Sequence, residues 1–173
     1  KKISKSRHLC DYNAKYPVIP CTADNEISIA LVRGNFNWQD GDVILSREPV
    51  CLVRNQEMAE LSLKDIPYIG RHTDSPFYDR IEQWKQENGA PTAAPALIDD
   101  ISSCLEMVEN GIGWSILPEI CLKNYKGSIT PLFFQDGSPF IRTSHILYKS
   151  HYFELPQVRA FIQTVLAEEY FNA

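Results

Sequence analysis

Two arginines stand where a chain could aim a cationic fork at an anion: Arg33 closes the apolar run ISIALVR, and Arg142 lies near the start of IRTSHILYK. A guanidinium holds a carboxylate through two parallel N–H···O bonds, so arginines at strand ends suit a carboxylate-rich ligand. The plainer readings are a solvated strand end for Arg33 and, for Arg142, an ion pair with an acidic neighbour such as Asp136 or Glu119. Thr73, Asp74 and Ser75 precede PFYDRIEQWKQ, a predicted helix whose unpaired first-turn N–H groups and dipole attract anions, unless one of the three is only its cap. Asp99 and Asp100 precede a second predicted helix. Their charge repels anions, and ordinary capping is the reading they favour.

Other chemistry lacks its residues. His8, His72, His145 and His151 have neither an i+4 partner nor nearby companions, so no metal site is expected. Ser102 and Ser103 sit in no G-x-S-x-G elbow, and no cysteine stands in a catalytic signature. The glycines of ENGIGWSILPEI end a helical pattern instead of opening one, which excludes a dinucleotide-binding fingerprint. The residues point to binding, with no catalysis and no cofactor expected.

The elements that would position these groups follow from periodicity. Apolar Ile27, Ile29, Leu31 and Val32 predict a strand delivering Arg33 to a loop at Gly34. Val43 to Leu45 and Val50 to Val53 predict two more β-rich runs, with Pro49 at a place an edge or crossing strand tolerates. DIPYIG is another strand. TDSPFYDRIEQWKQENG is a helix with Thr73, Asp74 or Ser75 as cap, Pro76 in its first turn, and Phe77, Ile81 and Trp84 on its apolar face. The connector GAPTAAP leads to IDDISSCLEMVEN, a helix of about three turns with Ile101, Leu105 and Val108 at helical spacing and Asp99 or Asp100 as cap. Gly111 suits the left-handed residue past that helix, and Trp114 to Leu117 reads as a short buried strand. A turn at 124–127, ITPLFF, the turn DGSP, the strand IRTSHILYK and a helix from about 155 to 170 complete the order. Strands alternate with helices, which predicts an α/β chain with a largely parallel sheet. RHLCDYNAKYP resembles the second half of a helix, and only about ten residues separate it from the first strand, tight spacing for the connections required.

Composition bounds the class. The 173 residues can bury a real core, as one domain or two small lobes, and 44% hydrophobic content is ordinary for a globular protein. No run approaches the roughly 20 apolar residues of a membrane helix, and KKISKSRHLC has no apolar segment of signal-peptide length, so a cytoplasmic protein without a membrane role is expected. The five cysteines show no C-x-x-C pair and cannot all pair within the chain, which predicts reduced, mostly buried thiols. With a net charge of −5 and thinly spread lysine and arginine, the chain lacks the basic face that holds nucleic acid.

The order YNAKYP, ISIALVRG, EPVCLV, a capped helix ending in QWKQ, DDISSCLEMVENGIGWSILPE and IRTSHILYK resembles the effector-binding domain of LysR-type transcriptional regulators over about residues 12–161. The tail PFIRTSHILYKSHYFELPQVRAFI also resembles the catabolite control protein E branch, whose members respond to citrate. The resemblance implies an α/β fold of two Rossmann-like lobes joined by two crossing strands, similar to type 2 periplasmic binding proteins, with the effector between lobes. EPVCLV at 48–53 and RTSHILY at 142–148 would be the crossings. Lobe I would then combine 1–49 with 147–173, and lobe II would be 50–146. On this basis the expected effector set is Arg33, Arg142, Thr73, Asp74, Ser75, Asp99, Asp100 and Thr143, the last beside Arg142 on the second crossing.

The resemblance further implies a regulator that binds a small organic acid such as citrate and forms a homodimer or tetramer. Its contact helices would be those at about 8–15 and 77–87, with Phe77, Ile81 and Trp84 shared between core and interface. DNA binding would belong to the parent protein, because the family's winged helix-turn-helix and linker helix are not in this chain. The family's serine/threonine-rich loop after the first strand is shortened here to KKISKS at most. A transporter's solute-binding protein shares the fold and is the alternative; unpaired cysteines and the lack of an export signal count against it.

Overall fold

The computed structural model describes residues 27–34 and 38–167. The helix at about 8–15, the KKISKS segment, Cys10, Cys21 and the end of the last helix past 167 lie outside the described residues. The strands are β1 (Ile29–Arg33), β2 (Gly41–Arg54), β3 (Ile69–Arg71), β4 (Ala96–Ile98), β5 (Trp114–Pro118), β6 (Ser128–Pro131) and β7 (Ile141–Tyr148). The helices are α1 (Ser75–Glu87), α2 (Ile101–Glu109), the short α3 (Ser150–Phe153) and α4 (Pro156–Ala167). The chain divides into two compact units, Lys1–Ser46 with Ser144–Ala173 and Arg47–Thr143; β2 and β7 contribute to both. Among the described residues no helix is long and apolar enough to cross a membrane.

In the Arg47–Thr143 unit, strand alternation sorts side chains into two cores. Val50 and Leu52 of β2, Tyr68 beside β3, and Trp114 and Ile116 of β5 pack with Phe77, Ile81 and Trp84 of α1. Cys51, Val53, Ile69 and Leu117 join Cys104 and Val108 of α2 on the other face. A strand covered on both sides must be apolar at nearly every position, and all five residues of β5 are buried. In the other unit, Leu45 and Ile146 pack with Val158 and Ile162 of α4. Ala30, Val32 and Leu147 form a second cluster.

The predicted largely parallel sheet needs correction. β1 runs antiparallel to β7 with Arg33 opposite Ser144, and β5 and β6 both run antiparallel to β2. β3 and β4 are parallel, and Tyr68 makes a parallel bridge to Trp114. Crossover helices join β3 to β4 and β4 to β5, and such connections force parallel strands. β2, β6 and β7 flank that helical stretch and are not bound by the rule. A second correction concerns the two runs on either side of Pro49, which are one continuous strand of 14 residues. Extended backbone accepts the fixed proline φ, and Pro49 stands just before Val50, where the pairing with β5 begins, so that ladder loses no donor.

Local signals place the helices. Asp74 is the N-cap of α1, accepting the Phe77 N–H at 3.0 Å, with Pro76 in the first turn. Phe77, Ile81 and Trp84 are 5%, 5% and 6% exposed, so they belong to the core of their own unit and leave little area to share with a partner. α2 turns Cys104 and Val108 inward, with Leu105 only partly buried. Gly111 takes φ 71°, the left-handed exit expected of it. Gly113 serves close approach instead: a Cβ there would collide with the Pro67 carbonyl oxygen, which already accepts the Trp114 N–H at 3.0 Å.

Asp100 caps α2 by accepting the Ser103 N–H at 2.7 Å. Hydrogen bonds from Ser103 hold its carboxyl below the ordinary range. A depressed folded-state value means that the contribution is fully present above that range and fades as pH falls through it. Asp100→Ala is therefore expected to lower the melting temperature at neutral pH, while Asp100→Asn, an equally good cap, stays near the parent. On acidification the parent should lose more than the asparagine variant, which thermal melts at a series of pH values would show.

Candidate functional site

Part of the predicted effector set converges at the start of α1. Asp74 divides its carboxylate between two tasks. Oδ1 caps the helix, while Oδ2 forms an ion pair with Nη2 of Arg142, and the Thr73 hydroxyl lies 3.4 Å from the same oxygen. Arg142 is buried, with its side chain 7% exposed against 26% for Asp74, and its guanidinium carbon lies 4.3 Å from the Phe77 ring centroid. Its Nε is buried and makes no hydrogen bond among the described residues. The acidic partner is thus Asp74, neither Asp136, which accepts the Ser138 N–H at 2.8 Å in its own turn, nor Glu119. Ser75 is exposed in the first turn of α1, and Thr143 follows Arg142 half-buried on β7.

The other members stand apart. Asp100 caps α2, and exposed Asp99 lies 3.6 Å from His72 Nε2. Arg33 ends β1 in the other unit, half-buried opposite Ser144.

Sequence reasoning passed over two neighbouring features. Arg80 donates from Nη1 to the Ile141 carbonyl at 2.7 Å and lies over the Phe140 and Phe134 rings at 4.7 and 5.0 Å. Lys85 is wholly buried, with Nζ bonded to Glu82 at 2.7 Å and to the Thr92 carbonyl at 2.9 Å, 4.1 Å above the Tyr68 ring. The available signal was spacing: Lys85 is four residues past Ile81, on the buried stripe of α1. Beside it lies a small cavity of about 220 Å3, lined by Tyr68, Tyr78, Ile81, Glu82, Thr92 and Leu97 among others.

Cys51 and Cys104 are poorly placed for nucleophilic chemistry. Burial, with a lesser contribution from Glu119, pushes Cys51 up to about 11, and burial also raises Cys104, whose thiol lies 3.4 Å from the Ser115 hydroxyl. A neutral buried thiol is inert, because the thiolate is the reactive form. The start of α1 thus brings together a buried guanidinium and the carboxylate that caps the helix.

Residues 20–169 match the LysR substrate binding domain family. The chain belongs to that family. This LysR-family chain is 30% identical over 146 residues to two uncharacterized HTH-type transcriptional regulators of Bacillus subtilis strain 168, YraN and YkuM, with 83% and 82% of its own length aligned. It spans about half the length of these curated relatives, 50% in each case.

Solved structures of the LysR family share its fold at low identity. The CcmR regulatory domain of Synechocystis PCC6803, in complex with 2-PG, matches with a TM-score of 0.63 at 14% identity, over 87% of this chain and 77% of that one. CbnR, a LysR family transcriptional regulator, gives 0.61 at 13%, over 86% and 54%. The OxyR2 regulatory domain of Vibrio vulnificus, as a C206S mutant, gives 0.60 at 13%, over 86% and 74%. The fold of this LysR-family chain is α/β of the type 2 periplasmic-binding-protein-like class.

Proposed function

We propose that the chain is the ligand-sensing regulatory domain of a LysR-type transcriptional regulator, that its ligand is a small organic acid such as citrate, and that it acts by binding without catalysis. The observation that carries the ligand class is Arg142, a buried guanidinium with an unused Nε beside the N-terminus of a 13-residue helix. Such a cation favours a carboxylate, and the helix dipole adds to the preference. Arg33, in the other unit, is a separate candidate contact. The whole protein would act in the cytoplasm as a homodimer reading two DNA half-sites, since its relatives are HTH-type regulators about twice as long as the aligned segment. A ligand coupling of about 1–3 kcal/mol would change promoter affinity several-fold.

A thermal-shift screen of organic acids, amino acids and aromatic acids tests the ligand class. Citrate or a related acid at about 100 times its Kd should stabilise the chain by ~2.7 kcal/mol. Arg142→Lys should weaken that response, and Arg33→Ala tests the second arginine separately. Footprinting of the whole regulator should show two protected half-sites whose occupancy changes with the acid. Stabilisation by neutral or cationic compounds only, with the arginine variants responding as the parent does, would overturn the carboxylate reading.

A further inference from the structure

We infer that Asp74 is an internal occupant of the Arg142 guanidinium, a carboxylate of the chain itself that an incoming carboxylate must displace. The inference rests on the carboxylate-sensing reading above and adds its regulation.

The ion pair is incomplete on the arginine side. Arg142 is more than nine-tenths buried, yet Asp74 engages only Nη2, and the buried Nε is left without a bond. A free carboxylate would take both N–H groups of that edge, Nη2 and Nε. Asp74 cannot do so, because Oδ1 is committed to the Phe77 N–H at 3.0 Å. Turning the carboxylate square to Arg142 would uncap α1.

The cap also makes exchange possible. An arriving carboxylate can take Nη2 and Nε together while Oδ1 of Asp74 stays on the Phe77 N–H, so α1 keeps its cap and loses only the tie to Arg142. The Tyr78 N–H to Asp74 carbonyl bond, 3.0 Å, holds the first turn meanwhile. Two carboxylates then crowd one guanidinium, and their repulsion weakens the ligand's hold. The resident acid thus sets a threshold: dilute monocarboxylates fail, and an acid with further contacts succeeds. Binding is also transmitted, because the released bond ties the start of α1 to β7.

Asp74→Asn separates this from a merely supporting role, because asparagine caps as well as aspartate but carries no charge. The full chain, the Asp74→Asn variant and, should that variant fold poorly, Asp74→Ser, which also caps, would be titrated with citrate and with acetate at constant ionic strength. Without anion the variants should melt below the parent, their buried guanidinium being unpaired. Citrate should bind them about tenfold more tightly than the parent, the scale of one charge-assisted hydrogen bond. Acetate should restore their melting temperature and leave the parent unmoved. Citrate binding that is equal or weaker in the variants overturns the inference and leaves the carboxylate reading standing. Acetate rescue of the variants with no organic acid acting on the parent supports the inference and removes the proposed effector. If neither acid acts on any of the proteins, both fall.

Discussion

Trp114→Ala should lower the unfolding free energy by about 3–5 kcal/mol, the range for deleting a fully buried large aromatic side chain. Trp114 has no exposed surface, its ring centroid lies 4.7 Å from that of Tyr68, and Nε1 donates to the Ile66 carbonyl at 3.1 Å. Truncation opens a void between β5 and the α1 side of its core and strips that carbonyl of its donor. Trp114→Phe keeps most of the packing and loses the N–H, so about 1–3 kcal/mol is expected. Urea unfolding followed by circular dichroism checks the series. The midpoint should fall in the order parent, phenylalanine, alanine with the slope unchanged, and an alanine variant within 1 kcal/mol of the parent would refute the packing argument.

Gly113→Ala should cost about 2–3 kcal/mol although it adds a single methyl group. The new Cβ meets the Pro67 carbonyl oxygen, which is backbone and cannot turn aside, and comes within 3.0–3.2 Å of the Ile69 side chain. Relief requires β5 to move from the chain entering β3, which stretches the 3.0 Å Trp114 N–H to Pro67 bond. Gly111→Ala is the instructive control. Its penalty comes from φ 71°, worth about 1–2 kcal/mol. Its Cβ would meet only the flexible end of Met58 at 3.3 Å and the Asn55 amide at 3.9 Å. Equal losses at the two positions would mean that close approach does not govern Gly113.

These two glycines show how far the sequence could be read. That Gly111 ends a helix is local chemistry, visible in the pattern around it, as are the Asp74 cap and the Phe77, Ile81, Trp84 stripe. Each depends on residues within about one helical turn. The reason for Gly113 lies in Pro67, whose carbonyl is brought there by sheet pairing. Arg142 was recognisable as a cation at the start of a strand, but its partner is 68 residues away, and the nearer acids Asp136 and Glu119 were the natural guesses. Strand direction was misread for a similar reason: alternation reveals crossover helices, whereas the antiparallel pairings of β2 and β7 are long-range facts. Lys85 was hidden by its type, since a lysine reads as surface until Glu82 and the Thr92 carbonyl are seen to receive it.

The three tryptophans give the chain a built-in optical assignment. Trp84 and Trp114 share one core in the Arg47–Thr143 unit, while Trp38 belongs to the other unit and is only half-buried. Every indole N–H has a carbonyl acceptor: Phe133 for Trp84, Ile66 for Trp114, and Gly41 with Tyr148 for Trp38. Because Trp84 and Trp114 are buried, their emission is expected at short wavelength and shielded from aqueous quenchers, whereas Trp38 sits nearer to solvent. With Trp38 replaced by phenylalanine, the remaining fluorescence becomes a private channel on the unit that holds Asp74 and Arg142, reporting on it alone without an extrinsic dye.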